Sequence, residues 1–306
     1  MSQRATSLSE RIVRGAPVLL AEISPPQGVD PAPVRDAARR LAGKVHAVGI
    51  SDNRERVSMS AMAAAALVAA EGLEPILHVT TRDRNRIALV SEALGAQALG
   101  IRNLLCTSGT HQTLGRFRAA KNVYDIDSIQ LLKTYAGLPS DGGLLGEEHG
   151  LDGAGPFCLG AVASPYADPL ELQIVRLVKK TRAGAKFLVT QPVFDLERFG
   201  AWWQEVTRRG IHEKAAILAG IQPLTSGALA NAQAGHRPLA RIPQSIPERI
   251  LSSSDPAAQR ASAIEMALET IERLSGFRGL RGVSISGDGD LDAALTIIEE
   301  SGLGSN

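Results

Sequence analysis

The chain has 306 residues, a hydrophobic content of 44% and a formal net charge of +1 at pH 7. This hydrophobic content is enough to build a large core and argues against an intrinsically disordered protein. The near-neutral charge, without a dominant basic stripe, argues against a nucleic-acid-binding protein.

Strands and helices are predicted to alternate along the chain. Short apolar runs that suit buried strands occur at residues 18–24, 47–51, 76–79, 103–107, 157–164, 186–190, 215–221 and 280–286. Helical segments are predicted after them at residues 33–41, 60–71, 87–99, 125–135, 168–182, 195–209 and 291–300. Extra helical pieces are expected after the seventh strand, at residues 227–234, 247–251 and 255–274.

Two segments allow more specific predictions. Asp168 and Pro169 are expected to be the N-cap and the first residue of the fifth helix. Residues 138–156 are rich in glycine and acidic residues, which is typical of an exposed loop insertion.

The alternation predicts an α/β fold, namely a closed (β/α)8 TIM barrel in a single domain over residues 1–306, with right-handed crossovers. The main alternative is an open doubly wound sheet. That fold usually needs fewer strands, and no GxGxxG string follows the first strand here.

The two cysteines and the N-terminus bear on the compartment. Cys106 and Cys158 lie in apolar, strand-like runs, so we interpret both as small core residues rather than as a disulfide. No cysteine or histidine spacing is typical of a metal site, and no metal is expected. The N-terminus is polar and no run reaches membrane-spanning length, so we expect a cytoplasmic protein without membrane contact.

Polar residues follow most of the predicted strands, where α/β barrels place their chemistry. They are Glu22, Ser24, Ser51, Asp52, Asn53, Arg54, His78, Thr80, Arg82, Ser108, Thr110, Ser164, Gln191, Gln222, Ser286 and Asp288. Glu22 interrupts an apolar strand, so it is either a general acid with a raised pKa or a buried carboxylate held by an arginine. His78 is either a core histidine or a site residue.

Three further features have both a structural and a functional interpretation. Gln191 can hydrogen-bond a planar heterocycle or close a turn. Lys179 and Lys180 are typical of a solvated helix face, although such a pair can also meet phosphate. Trp202 and Trp203 are expected to pack in the core and against neighbouring helices.

Seven strings, in the right order along nearly the whole chain, resemble methylenetetrahydrofolate reductase. They are AEISPP at 21–26, HVTTRDRN at 78–85, LGIRN at 99–103, VYDIDS at 123–128, AGAKFLVTQPVFD at 183–195, AGIQP at 219–223 and RIP at 241–243. The resemblance is to the short, catalytic-domain-only bacterial form with acetogen-like TxRDRNR and DxDSxQLL strings.

The resemblance implies a (β/α)8 barrel that holds FAD at its carboxyl end. It implies reduction of 5,10-methylenetetrahydrofolate to 5-methyltetrahydrofolate by hydride transfer through FAD, within one-carbon metabolism and methionine biosynthesis. NADH, NADPH or an electron-donating partner subunit would be the donor, and a homo-oligomer is expected.

The resemblance also implies roles for particular residues. Glu22 corresponds to the acid that helps open the imidazolidine ring of the substrate. Gln191 and Gln222 are assigned to the folate. The residues assigned to FAD are Ser51, His78, Ser108, Gly109, Thr110, Gln173, Arg176, Lys179 and Lys180.

One string departs from the family. Where the family has an aspartate beside the flavin ring, this chain has Thr110 in Ser108–Gly109–Thr110. Thr110 carries no charge, so a compensating carboxylate such as Asp52, a changed mode of flavin binding or altered chemistry is expected. The alternatives are a flavin-independent reductase that takes hydride from NADH, a folate-dependent methyltransferase, and a non-catalytic folate- or flavin-binding paralogue.

Overall fold

Eight parallel strands close into a barrel in this computed structural model, which describes residues 6–53, 57–114, 118–143, 149–225, 229 and 242–304. The strands pair in chain order, and the last strand pairs with the first. They are β1 (Val18–Ile23), β2 (Ala47–Ile50), β3 (Pro75–Thr80), β4 (Asn103–Thr107), β5 (Cys158–Ala163), β6 (Phe187–Pro192), β7 (Ala216–Ile221) and β8 (Gly282–Ser286). The predicted (β/α)8 barrel is confirmed, and the open doubly wound sheet is wrong.

The first helix precedes the first strand, and the other helices follow strands on the outside of the barrel. They are α1 (Leu8–Arg14), α2 (Ala32–Leu41), α3 (Ala61–Ala70), α4 (Arg86–Ala98), α5 (Ser128–Asp141), α6 (Leu170–Arg182), α7 (Leu196–Arg208), α8 (Ile211–Lys214), α9 (Ser245–Ile250), α10 (Pro256–Leu274) and α11 (Leu291–Glu300). A 3-10 turn spans Gln112–Leu114. Among the helices that the structure describes, none has the length and apolar content needed to cross a membrane.

The core has two layers, because each strand buries both of its faces. The larger layer lies between the strands and the surrounding helices and includes Trp202 and Trp203, as predicted. The smaller layer fills the barrel interior around Leu20, Ile76 and Phe187. Phe187 fits only because Gly160 on the neighbouring strand has no side chain.

Both cysteines are free and buried, in agreement with their interpretation as core residues. Burial raises the pKa of the Cys106 thiol, and burial together with Glu74 raises the pKa of Cys158 to about 12. Protonated, buried thiols of this kind are poor nucleophiles.

The amino-terminal end of the barrel is covered by α1, a helix that was not predicted. Leu8 is fully buried and packs into the interior layer, and its backbone N–H donates to Glu74 at 2.9 Å. Ser7 and Glu10 form a capping box that starts the helix. The S-x-x-E spacing of these two residues was a sequence signal for this helix.

Two local predictions differ from the structure, and a third is not tested. Asp168 is not the N-cap of α6, because Pro169 occupies that position and the Asp168 carboxylate pairs with Arg198 at 2.9 Å. The helix α5 continues to Asp141 and buries Leu138, so the first residues of the predicted 138–156 loop are helical. The helical piece expected at residues 227–234 lies, apart from Leu229, outside the described residues.

Candidate active site

A cavity of about 860 Å³ opens at the carboxyl ends of the strands. This volume is in the range of small-molecule and cofactor sites. Eleven of the twelve predicted site residues line it, namely Glu22, Ser51, His78, Ser108, Gly109, Thr110, Gln173, Arg176, Lys180, Gln191 and Gln222. Lys179 does not line the cavity, because its exposed side chain lies on another face of α6 from its neighbour Lys180.

The floor of the cavity is formed by inward-facing residues of β1 and β3. Glu22 and His78 both line the cavity, and Gly49 of β2 pairs with Glu22 in the sheet. A Cβ on Gly49 would lie 2.8 Å from His78 Nε2, so the imidazole occupies the space beside this glycine. The carboxylate and the imidazole therefore belong to adjoining parts of one floor.

One wall of the cavity is formed by a single face of α6. Gln173, Arg176 and Lys180 follow one another at a spacing of three and four residues, which places them on the same side of the helix. Lys180 is only 8% exposed, and its ammonium donates to the carbonyl of Val162. Burial, followed by the charge of Arg176, lowers the pKa of Lys180 to about 8. The solvated-face interpretation is therefore wrong for Lys180.

Another wall is braced by the side chain of Arg82, which is 4% exposed. Its guanidinium donates to both carboxylate oxygens of Asp83, at 2.8 and 2.6 Å. It also donates to the carbonyl oxygens of Asn53 at 2.9 Å and Thr110 at 3.4 Å. Arg82 thus links the loops that follow β2, β3 and β4.

Asp52 belongs to a second ion pair on the same wall. Its carboxylate contacts the guanidinium of Arg84, which also pairs with Glu92. The same carboxylate accepts a hydrogen bond from the backbone N–H of Thr80 at 3.0 Å. Because this charge is already paired within the protein, the geometry does not support Asp52 as the replacement for the aspartate missing at Thr110.

Two amide side chains lie at the ends of adjacent strands β6 and β7. Gln222 is 6% exposed, and both Gln191 and Gln222 line the cavity. The side-chain oxygen Oε1 of Gln191 is buried and has no hydrogen-bond partner among the described residues. A buried acceptor without a partner is costly unless a ligand supplies the donor.

Several residues of the cavity were not predicted as site residues. The sequence identifies Arg82 only as a strand-end residue, Asp52 as a strand-end residue and candidate compensating carboxylate, and Thr190 only as part of a strand. Aliphatic side chains of the rim were also missed, namely Val57, Leu114 and Leu172. Their signal is weak, because exposed aliphatic residues in loops and on helices are common in any protein.

Comparison with known proteins identifies the family. The profile of the methylenetetrahydrofolate reductase family matches residues 7–287. The chain belongs to this family. The resemblance carried by the seven sequence strings is thereby confirmed.

A relative within the reductase family is a probable methylenetetrahydrofolate reductase (NADPH) from Caenorhabditis elegans, with 25% identity over 231 residues. The match covers 70% of this chain and 29% of that relative, so the chain spans only about a third of the relative's length.

Solved structures of low sequence identity share the fold. An uncharacterized protein from Clostridium thermocellum, which binds two copies of 5-methyl-5,6,7,8-tetrahydrofolic acid, has a TM-score of 0.67 and 12% identity, covering 96% of this chain and 98% of that one. A putative lyase/mutase from Burkholderia cenocepacia has a TM-score of 0.51 and 17% identity, with 96% and 85% covered. At these identities the likeness concerns the barrel alone.

Proposed function

We propose that this chain reduces 5,10-methylenetetrahydrofolate to 5-methyltetrahydrofolate in the cavity at the carboxyl end of the barrel. The observation that carries the proposal is the meeting of Glu22, Gln191 and Lys180 in one cavity. These residues come from β1, β6 and α6, which are far apart in the sequence. The family resemblance assigns these three positions to the acid, to the pterin and to the cofactor phosphates.

The proposed reaction adds a hydride to the bridging methylene carbon and a proton to the nitrogen that leaves it. Glu22 is the proposed proton donor, because it is a carboxyl group on the floor of the cavity. Its proton goes to the ring nitrogen as the carbon–nitrogen bond breaks and the electrophilic iminium forms. Gln191 and Gln222 are proposed to hold the pterin by amide hydrogen bonds, with the buried Oε1 of Gln191 accepting from a ring N–H or amino group.

The residues of the α6 wall fit the phosphates of FAD. Arg176 and Lys180 place two cationic groups in the cavity, and Gln173 adds an amide on the same helix face. Ser51, His78, Ser108 and Gly109 would line the flavin pocket. Bound there, FAD would supply the hydride acceptor and donor between NAD(P)H and the folate.

Thr110 is where this chain departs from the expected flavin environment. Its carbonyl is held by Arg82, and its side chain provides no carboxylate at the cavity. A weaker electrostatic stabilisation of the cationic folate intermediate follows from this substitution. The absence of a carboxylate at Thr110 is therefore the observation that favours direct hydride transfer from NADH as the second candidate function.

The comparisons support a folate substrate and a nicotinamide electron donor only in general terms. The Caenorhabditis elegans relative is named for NADPH, and the Clostridium thermocellum protein binds a methylated tetrahydrofolate in the same fold. We propose NADH or NADPH as the donor to this chain, either directly or through a partner subunit. We also propose that the protein is a homo-oligomer in the cytoplasm.

The first experiment is the visible absorbance spectrum of the purified protein, followed by identification of any released chromophore. NAD(P)H oxidation is then measured with and without 5,10-methylenetetrahydrofolate. Bound FAD with folate-dependent oxidation is the expected result. A colourless protein that does not bind added FAD but oxidises NADH with folate would support direct transfer. Folate binding without reduction of 5,10-methylenetetrahydrofolate by NAD(P)H or by an artificial electron donor would overturn the reductase proposal.

A further inference from the structure

A β-bulge in β6 lies directly beside Gln191. Val189 pairs with Leu218 of β7, but the next pair is Pro192 with Gly220, so β6 contains one extra residue at this point. A bulge bends its strand and changes the direction of the side chains next to it. Pro192 suits this position, because proline has no backbone N–H to contribute to the sheet.

The hydroxyl of Thr190 replaces the backbone hydrogen bond that the bulge removes. The backbone N–H of Gly220 donates to Thr190 Oγ1 at 2.9 Å, and this hydroxyl donates to the carbonyl of Gln191 at 2.7 Å. The side chain is 4% exposed, so water offers little substitute for either bond. One hydroxyl therefore connects β7 to the peptide of Gln191.

Gly220 allows the two strands to approach closely enough for these bonds. A Cβ on Gly220 would lie 2.6 Å from the carbonyl oxygen of Thr190 and 3.0 Å from the carbonyl carbon of Gln191. Both atoms are backbone, so they could move away only by displacing β6. The peptide of Gln191 is thus contacted both by the hydroxyl of Thr190 and by the backbone of Gly220.

We propose that Thr190 is the positioning residue for Gln191: its hydroxyl holds the bulge that aims the Gln191 amide at the folate. The Oε1 of Gln191 is buried, has no hydrogen-bond partner among the residues that the structure describes, and lies at the end of this series of contacts, where a ligand could donate to it. The inference rests on the proposed function, since it assigns a support to the amide that binds the pterin. A hydroxyl that acts in this way affects substrate binding more than the rate of the chemical step.

The test uses Thr190→Val, which keeps the shape of the side chain and removes both hydrogen bonds. We expect the KM for 5,10-methylenetetrahydrofolate and the Kd for 5-methyltetrahydrofolate to rise about 3- to 10-fold, with a smaller change in kcat. Thr190→Ser, which retains the hydroxyl, should restore both values to near those of the unsubstituted protein. If Thr190→Val does not fold, Thr190→Ala removes the hydroxyl together with the methyl group and leaves no apolar group facing the Gly220 N–H.

A double-mutant cycle separates positioning from general stability. In a Gln191→Ala background, adding Thr190→Val should not weaken folate binding further, because the hydroxyl acts only through Gln191. Thr134→Val is the matched control: Thr134 is fully buried, its hydroxyl donates to a helix carbonyl in α5, and it does not line the cavity. It should lower the free energy of unfolding without changing KM.

Three outcomes would overturn the inference. The first is an unchanged KM and Kd in Thr190→Val. The second is a double variant whose loss of folate affinity equals the product of the losses in Thr190→Val and Gln191→Ala. The third is a Thr134→Val variant whose KM rises as much as that of Thr190→Val. A failure of the proposed function is recognised separately. In that case the unsubstituted protein itself would not reduce 5,10-methylenetetrahydrofolate, whether or not it binds 5-methyltetrahydrofolate.

Discussion

The imidazole of His78 occupies the space that the missing side chain of Gly49 leaves open inside the barrel. A Cβ at Gly49 would lie 2.8 Å from His78 Nε2, which is shorter than real Cβ contacts. Gly49 also pairs with Glu22 of β1. This glycine therefore lies between β1, which carries Glu22, and the imidazole of His78. The absence of one methyl group therefore determines where an imidazole can lie on the cavity floor.

Gly49→Ala is expected to displace His78 and to destabilise the protein by about 1 kcal/mol, near the low end for overpacking, because the overlapping atom is the tip of a side chain that borders the cavity. Reductase turnover should fall as well. The free energy of unfolding is measured by urea denaturation. Gly95→Ala in α4 is the control: an added Cβ there meets nothing within 4 Å, so it should stabilise by about 0.5–1 kcal/mol. Equal stability and activity in both variants would contradict the packing argument.

Glu22→Gln is expected to retain folate binding and to lower the reduction of 5,10-methylenetetrahydrofolate about 100-fold or more, since the amide cannot donate the proton of a carboxylic acid. NAD(P)H oxidation reports turnover, and titration with 5-methyltetrahydrofolate reports binding. Glu171→Gln, on the exposed first turn of α6, controls for loss of a negative charge. If binding and turnover fell by the same factor in Glu22→Gln, Glu22 would be a binding residue instead.

Lys180 should make the affinity for a diphosphate ligand depend on pH. Burial and Arg176 lower the pKa of Lys180 to about 8, so its positive charge is present below that pH and is lost above it. A bound anion stabilises the charged ammonium of Lys180 and raises its pKa in the complex. The affinity for ADP, a probe for the phosphate wall, should fall about tenfold as the pH rises from about 8 to the higher pKa of the complex.

Lys180→Met should weaken ADP binding at neutral pH and remove most of this pH dependence. Lys179→Met is the matched control, because Lys179 is exposed on the same helix and does not line the cavity. Isothermal titration at several pH values measures both variants. A pH dependence that survives in Lys180→Met would show that another group controls anion binding.

His46 should make the protein less stable as the pH falls. Its Nδ1 accepts a hydrogen bond from the backbone N–H of Leu19 at 2.8 Å, and burial, followed by Arg11, lowers the pKa of His46. The unfolded chain therefore takes up the proton first, and the stability contributed by neutral His46 is lost as the pH falls below the ordinary value of about 6.5. The loss is at most about 1.4 kcal/mol per pH unit for one group.

His46→Asn keeps a hydrogen-bond acceptor and does not titrate in this range, so its stability should fall less than that of the unsubstituted protein between pH 7 and pH 5.5. Urea denaturation at several pH values compares the two proteins directly, and the carboxylates that titrate in both cancel in the difference. Parallel stability curves would show that His46 does not contribute to the pH dependence.

The strands and the barrel could be predicted because a parallel strand buried on both faces leaves an uninterrupted apolar run. The predicted bounds of β4 and α11 agree with the structure. Residues at the strand ends then follow from the fold, which is why Glu22, Gln191 and Gln222 were placed correctly in the cavity. The helix α1 was missed because its polar surface hides a single buried residue, Leu8.

The sequence by itself determined the family, the eight-stranded barrel and most of the residues that line its open end, because these depend on periodicity and on the order of short strings. Only the tertiary structure decided which of two adjacent lysines is buried, that Asp52 is already paired with Arg84, and that the Thr190 hydroxyl of β6 accepts a hydrogen bond from Gly220 of β7. Each of these facts is a contact between elements distant in sequence, and such contacts arise from packing rather than from any local pattern.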